Sequence, residues 1–206
     1  VAQGGGRREA GMSSTAFNLL LAFLLLAANA FYVAAEFALV KSRGFRIKAM
    51  VEQDRYGARL LHGMMGNIEA YLACCQLGIT MASLGLGWVG EPTVSALLEP
   101  LLIPLGMSQK TLHFVSFLAG FLVFSSLHIV IGEQVPKTLA IREPMPVSQW
   151  IAYPLHVSYL IFWPLNWLLN TASRGILRLL GVKEASQHEI LTDSEIEGLV
   201  EQSAVH

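Results

Sequence analysis

The residues best able to do chemistry lie at the end of the third apolar segment, where the sequence reads GEQVPK from Gly132. Pro136 has no N–H group, so within a helix it cannot bond the carbonyl four residues back, which belongs to Gly132. The freed carbonyl would lie beside the Glu133 carboxylate. Both groups are hard oxygen ligands of the kind that Mg²⁺ prefers, on interrupted helix backbone of the kind that transporters use for ions. This pattern predicts a cation site at Gly132 and Glu133.

Two other apolar segments carry oxygen-bearing side chains at helical spacing. Gln76, Thr80 and Ser83 occupy positions i, i+4 and i+7, and Asn29 and Glu36 are seven residues apart. Polar groups are costly at membrane depth and usually face a bundle interior, a cavity or an ion path. We therefore expect the three polar stripes to face each other and to hold a cation. The alternative is hydrogen bonding between helices, at under about 2 kcal/mol per contact, with no ion.

Two ionisable side chains near these stripes have structural interpretations. For His128, a packed or hydrogen-bonded neutral histidine is favoured over a metal ligand. Glu36 lies near the end of the first apolar segment, where an ion pair with Lys41 or Arg43 is favoured over a place in the site.

The elements that must position these groups are membrane-spanning helices. Of the 206 residues, 53% are hydrophobic and 14% are charged, whereas soluble domains are about 45–50% apolar. A helix needs about twenty apolar residues to cross the hydrocarbon core of a bilayer. Three windows have that length, at residues 14–40, 68–89 and 112–131. The predicted fold class is all-α: a polytopic membrane protein with three transmembrane helices.

The distribution of charge orients these spans. The first loop is far more basic than the second, which places it in the cytoplasm and the N-terminus outside the cell membrane. Residues 44–65 interleave basic and apolar residues and predict an interfacial helix. Residues 147–180 are predicted as broken amphipathic helices along the cytoplasmic face, because a fourth span would export their basic side chains. Residues 1–13 form a Gly-rich leader that we expect to be flexible. The basic residues of the first loop are Lys41, Arg43, Arg46, Lys48, Arg55 and Arg59.

Several classes of protein are excluded or disfavoured. The net charge of −1 gives no support to nucleic-acid binding. Adjacent Cys74 and Cys75 have no Cys or His at a ligand spacing, so neither a disulfide framework nor a zinc site is expected. The sequence contains neither the His-Glu-x-x-His motif nor a serine-hydrolase elbow, so no enzyme is predicted. TDSE at 192–195 is a capping box that would start a short soluble helix, from Glu195 to Gln202. Because this helix ends after about two turns, residues 183–206 are predicted to be a linker and the start of a cytoplasmic region that has been cut off.

Three blocks of sequence carry a family resemblance. They read NAFYVAAEFAL from Asn29, QLGITMASLGLGWVGEP from Gln76 and HIVIGEQVPK from His128. Together they resemble the transmembrane domain of the CorC/cyclin-M (CNNM) family, often labelled hemolysin-like in bacteria. The resemblance covers essentially residues 14–202.

This resemblance implies a homodimeric transporter with three spans per subunit and a belt of cytoplasmic juxtamembrane helices. It also implies a following pair of cystathionine-β-synthase-type (CBS) domains that can bind adenine nucleotide. The implied activity is export of Mg²⁺ from the cytoplasm in exchange for Na⁺. By this resemblance Glu133, Gln76 and Thr80 are metal ligands, and Val33 replaces a first-span serine, with Asn29 one turn away as a substitute. The family's second-span pair is often Asn, so the longer Gln76 and the branched Thr80 would change ligand reach.

Two functions from different classes follow from these patterns. The first is a Mg²⁺ transporter that holds its ion inside the helix bundle of the membrane domain. The second is a membrane scaffold or regulator that transports nothing and whose polar stripes only pack helices. A bound cation would stabilise the folded transporter by mass action, whereas purely structural stripes would not respond to the ion. The predicted metal ligands are Glu133, Gly132, Gln76, Thr80, Asn29 and Ser83.

Overall fold

The computed structural model describes the backbone of residues 4–42 and 44–181, and the side chains of residues 14–42 and 46–181. Every regular element in this part of the chain is a helix. A short 3-10 turn follows α4, and a π-helical segment, His128–Gln134, joins α5 to α6. The helices are α1 (Gly4–Lys41), α2 (Gly44–Glu52), α3 (Ala58–Met65), α4 (Ile68–Leu102), α5 (Gln109–Leu127), α6 (Val135–Arg142) and α7 (Pro144–Leu179).

Three stretches of the described chain are long and apolar enough to cross a membrane: Ser14–Lys41, Ile68–Leu105 and Gln109–Arg142. Large apolar side chains such as Phe23 and Trp88 are exposed on them, as contact with lipid requires. The prediction of an all-α membrane protein with three spanning helices is confirmed.

Some helix boundaries differ from the predicted spans. The first helix begins at Gly4, inside the segment expected to be a flexible leader. The second span does not end near residue 89, because α4 continues through Pro92 to Leu102. A proline removes a single helical hydrogen bond, and side chains can satisfy nearby backbone. The carbonyl that Pro92 cannot bond is that of Trp88, and the Thr93 hydroxyl donates to the neighbouring carbonyl of Val89 at 2.6 Å.

The segments flanking the spans also differ from expectation. Residues 44–65 form two helices, not one, because Asp54 (φ 49°) and Gly57 (φ 69°) adopt left-handed backbone that a continuing helix cannot accommodate. The predicted break in 147–180 is also wrong, since α7 is one helix that includes Pro154 and Pro164. The fixed φ of proline is compatible with a helix, so the helix can continue although each proline lacks an N–H and its ring crowds the carbonyl four residues back.

The chain divides into two compact units, Val1–Trp163 and Pro164–His206. In the described part of the second unit, residues 164–181, the Thr171 hydroxyl donates to the carbonyl of Trp167 at 2.8 Å and Arg174 donates to Thr171 at 3.3 Å. The linker and cytoplasmic region predicted for 183–206 lie outside the described residues.

The core of the first unit lies where α1 ends and α4 begins. Six helices contribute fully or almost fully buried apolar side chains, so the two short helices and the first half of α7 are packed into the bundle. Burial of a large aliphatic side chain contributes about 1.5–3 kcal/mol. The core residues are Ala35, Ala38 and Leu39 of α1; Ile47 of α2; Leu61 and Met64 of α3; Tyr71, Cys74 and Cys75 of α4; Ala140 of α6; and Ile151, Ala152 and Leu155 of α7.

Candidate functional site

A polar cluster joins all three spanning stretches inside the bundle. Asn29 of α1 is fully buried. Its Nδ2 donates to the carbonyl of Gly132 at 3.0 Å, and its Oδ1 accepts a hydrogen bond from Ser83 Oγ of α4, also at 3.0 Å. Ser83 and Gly132 are 54 and 103 positions from Asn29 in the chain, so three of the predicted site residues are brought together. We call Asn29, Ser83 and Gly132 the polar cluster.

The backbone around Gly132 departs from regular α-helical hydrogen bonding. In the π segment the N–H of Val135 bonds the carbonyl of Val130, five residues back. Pro136 follows and has no N–H, so it can bond neither Ile131 five residues back nor Gly132 four residues back. The sequence predicted that Pro136 cannot bond this carbonyl and that the helix is interrupted here. The structure instead has continuous helix with a π segment, a feature frequent at functional sites.

Gly132 is also where three side chains converge. A Cβ built on Gly132 would lie 2.8 Å from Cδ2 of His128, 3.0 Å from Cδ1 of Leu26 and 3.1 Å from Nδ2 of Asn29. A larger residue at this position would require the side chains of His128, Leu26 and Asn29 to shift. The glycine is thus required by the close approach of α1.

Glu133 lies next to the polar cluster but is not bonded to it. Its Oε1 is 3.8 Å from Nε2 of His128, and the side chains are 49% and 18% exposed, respectively. Within the described chain, His128 Nε2 is buried without a hydrogen-bond partner. The carboxylate can therefore turn toward a ligand without breaking a bond, which suits a transient cation site. Lys137 of the same motif packs elsewhere, with its Nζ 4.6 Å from the ring centroid of Phe37.

Gln76 and Thr80 are not in the polar cluster. Both are exposed on α4, and the Thr80 hydroxyl donates to the backbone carbonyl of Gln76 at 2.8 Å. Small residues on the opposite side of α4 decide this orientation. Gly78 packs against the ring of Tyr32 on α1 and Ala82 is also buried. In this single chain Ser83 is the residue of the second-span stripe that is bonded to Asn29, and the assignment of Gln76 and Thr80 as ligands stays a prediction.

Two other sequence interpretations can be compared with the geometry. Val33 is 5% exposed and belongs to the apolar interior, so Asn29 is the polar residue that α1 supplies here. The described residues contain no group of three or more His, Cys, Asp or Glu side chains placed to share a metal. The oxygen donors of the polar cluster are an amide, a hydroxyl and a backbone carbonyl, with one carboxylate nearby. This donor set suits a hard cation such as Mg²⁺ or Na⁺ more than a transition metal.

Comparison with known families decides what kind of membrane domain this is. The family described as the cyclin M transmembrane N-terminal domain (CNNM) matches residues 20–206. The chain belongs to this family. The resemblance seen in the three sequence blocks is therefore confirmed.

Relatives of this CNNM domain come from several bacteria. It is 39% identical over 177 residues, 86% of the chain, to UPF0053 protein YugS of Bacillus subtilis. It is 38% identical over 181 residues, 88% of the chain, to UPF0053 protein YrkA of the same organism. An uncharacterized protein of Mycobacterium tuberculosis, Rv1841c, is 34% identical over 186 residues, 90% of the chain. The chain spans 41% and 42% of the two Bacillus relatives and 53% of the mycobacterial one.

Proposed function

We propose that this CNNM domain is the membrane part of a transporter whose cargo is Mg²⁺. The observation that carries the proposal is the polar cluster at membrane depth, with the Glu133 carboxylate beside it. Polar and ionisable groups inside a membrane are costly, and they commonly mark ion paths. Three of the predicted ligands, on all three spanning stretches, are joined by hydrogen bonds: Asn29, Ser83 and Gly132. Glu133 follows Gly132 in the chain, and its Oε1 is 3.8 Å from Nε2 of His128.

The ligand chemistry follows from what each group can still accept. The Gly132 carbonyl has a second lone pair beyond the one that Asn29 uses, and the Asn29 and Ser83 oxygens can also accept. Glu133 supplies the negative charge. Mg²⁺ gives up its water reluctantly and is often bound through one or two carboxylates with several waters retained. A partly hydrated ion held at Glu133 and bonded through water to the polar cluster satisfies these requirements. Gln76 and Thr80 would contribute only after movement of α4 or from another subunit.

The remaining features of the proposal come from membership of the family and from charge. We propose a homodimer in the cell membrane, with the N-terminus outside and the C-terminus in the cytoplasm, that exports Mg²⁺ in exchange for Na⁺. Adenine nucleotide would act through a CBS region beyond the described residues. The domain performs no enzymatic reaction in this proposal.

Magnesium flux tests the proposal directly. The purified chain is reconstituted into vesicles with a trapped Mg²⁺ indicator, and Glu133→Gln is compared with Glu69→Gln, an exposed carboxylate in the first turn of α4. We expect the wild type and Glu69→Gln to carry Mg²⁺ and Glu133→Gln to lose at least about tenfold in rate. Even outer-sphere partners of a metal are worth about 10–100-fold.

A second candidate function is a scaffold that transports no ion. The favouring observation is that Asn29, Ser83 and Gly132 already satisfy one another by hydrogen bonds. In that case no Mg²⁺ flux would appear, and Mg²⁺ would not raise the stability of the wild type. A transport site would instead add about 2.7 kcal/mol of stability at an ion concentration one hundred times the Kd. Calcium and sodium serve as controls for ion identity.

A further inference from the structure

A cluster of exposed aromatic side chains lies where the loop between α2 and α3 meets the beginning of α7. Tyr56, Trp150 and Tyr153 are 63%, 76% and 48% exposed. The Tyr56 ring centroid is 6.2 Å from that of Trp150 and 5.1 Å from that of Tyr153. Beside these rings is a groove of about 490 Å³, which we call the hairpin groove; it is lined by Arg55, Tyr56, Gln149 and Trp150.

Close packing of the loop on α7 fixes the shape of the hairpin groove. Gly57 is buried with a left-handed φ of 69°, and a Cβ there would lie 3.0 Å from the backbone oxygen of Gln149. The next residue, Ala58, is fully buried, as is Ala152 of α7. The Arg55 N–H donates to the carbonyl of Met50 at 3.0 Å. Arg55 and Tyr56 therefore lie on a turn that is packed against α7, the helix that carries Trp150 and Tyr153.

The charge of the groove is positive. Arg59 Nη2 is 2.9 Å from Oδ1 of Asp54, so the acidic residue closest in sequence to Arg55 is already paired. None of the four residues that line the hairpin groove is acidic. A second cavity, of about 370 Å³, lies on α2 and α3. It is lined by Lys48, Arg59 and His62, by the acidic Glu52 and by the apolar Val51.

The position along the chain places this groove at the edge of the membrane. The first spanning stretch ends at Lys41 and the second begins at Ile68, so the connecting helices α2 and α3 lie at one boundary of the hydrocarbon core. Tyr and Trp are enriched at such boundaries, where the ring contacts lipid and the polar tip contacts the headgroups. Basic residues at the same depth attract anionic lipid.

We propose that the hairpin groove binds the headgroup of an anionic phospholipid. Arg55 pairs with the lipid phosphate, whose oxygens match the planar fork of the guanidinium. The rings of Tyr56 and Trp150 lie along the glycerol and the upper acyl chains. The lipid would fasten the α2–α3 connection to α7, and this role does not depend on whether the domain transports Mg²⁺.

Lipid titration of the purified chain in a neutral detergent tests this site. Phosphatidylglycerol or phosphatidylcholine is added, and bound lipid is counted by native mass spectrometry while thermal stability is followed. We expect phosphatidylglycerol to bind saturably and to raise the unfolding temperature more than phosphatidylcholine. Arg55→Gln should raise the half-saturating concentration of phosphatidylglycerol about fivefold, the factor that one basic residue near an anionic surface contributes.

Matched variants separate the site from general charge and hydrophobicity. Arg174→Gln removes one exposed positive charge from the second compact unit and should leave phosphatidylglycerol binding unchanged. Trp150→Leu should weaken binding, whereas Trp88→Leu, at an 84% exposed position on α4, should not. Arg55 is exposed, so Arg55→Gln should unfold at the wild-type temperature without lipid.

Several results would overturn the proposal. Equal binding of phosphatidylglycerol and phosphatidylcholine would show that headgroup charge is not recognised, and equal effects of Arg55→Gln and Arg174→Gln would show that the groove is not the site. Stabilisation by inorganic phosphate alone, at the same concentration, would indicate a simple anion site. A change in oligomeric mass in Arg55→Gln, with unaltered lipid binding, would mean that a second copy of the chain occupies the groove.

Discussion

Replacing Asn29 by alanine removes two hydrogen bonds from the interior of the bundle, at a position with no access to water. Bonds between helices in a membrane average about 0.6 kcal/mol and reach about 1.7. The change also removes the Asn29 donor from the Gly132 carbonyl, which cannot receive a bond from Pro136, and a buried polar group that loses its partner costs about 1–3 kcal/mol. We expect Asn29→Ala to lower the free energy of unfolding by about 2–4 kcal/mol, the sum of these terms.

Unfolding in mixed micelles, followed by tryptophan fluorescence, measures this loss. Ser116→Ala is the matched control, because Ser116 is 2% exposed and its hydroxyl donates only to the carbonyl of Leu112 in its own helix, at 2.8 Å. The control should lose less than about 1 kcal/mol. Ser83→Ala completes a double-mutant cycle with Asn29→Ala. Because the Ser83 hydroxyl has lost its partner once Asn29 is gone, the double mutant should be less destabilised than the sum of the single mutants.

One outcome would contradict the predicted destabilisation by Asn29→Ala. If Asn29→Ala is no more destabilised than Ser116→Ala, the Gly132 carbonyl has another donor and the π segment does not depend on α1. A fully additive cycle would further show that Ser83 and Asn29 do not interact in the folded domain.

Two further predictions concern the packing of α4. Gly78→Ala should destabilise the domain by about 1–3 kcal/mol, because the new Cβ would lie 2.5 Å from the Tyr32 ring. The control Gly87→Ala, whose new Cβ would have nothing within 4 Å, should unfold at or above the wild-type temperature. Equal unfolding temperatures for the two variants would contradict the close approach of Gly78 to Tyr32. Tyr71→Phe should cost about 0.5–1.5 kcal/mol in the same unfolding assay, because the Tyr71 hydroxyl is 2.7 Å from Nδ1 of His156; an unchanged free energy of unfolding would show that this bond contributes nothing.

Much of the fold could be predicted from the order of residue types along the chain. The number and approximate position of the spanning helices follow from apolar windows of about twenty residues, because that length is set by the thickness of the bilayer. The ends of the helices were less predictable. The apolar window of the second span ends near residue 89, yet α4 continues through Pro92 and Pro100 to Leu102, because the bundle tolerates the missing backbone bonds.

Part of the candidate site could also be predicted from the sequence, and part could not. Helix geometry alone predicts that Pro136 cannot donate to the carbonyl of Gly132, so the loss of this bond could be predicted from the sequence. The identity of the replacement donor was not, since Asn29 is 103 residues away. Asn29 was predicted as an oxygen ligand, and the structure shows in addition that its Nδ2 donates to that carbonyl.

The sequence by itself determined that this chain is a membrane domain of the CNNM type, because length, hydropathy and local motifs do not depend on how the helices pack. Only the tertiary structure decided which polar groups meet. Gln76, Thr80 and Ser83 share one stripe by helical spacing, but the contact of Gly78 with Tyr32 fixes the rotation of α4. Close packing between small and aromatic residues therefore selects Ser83 for the interior and leaves Gln76 and Thr80 on the surface.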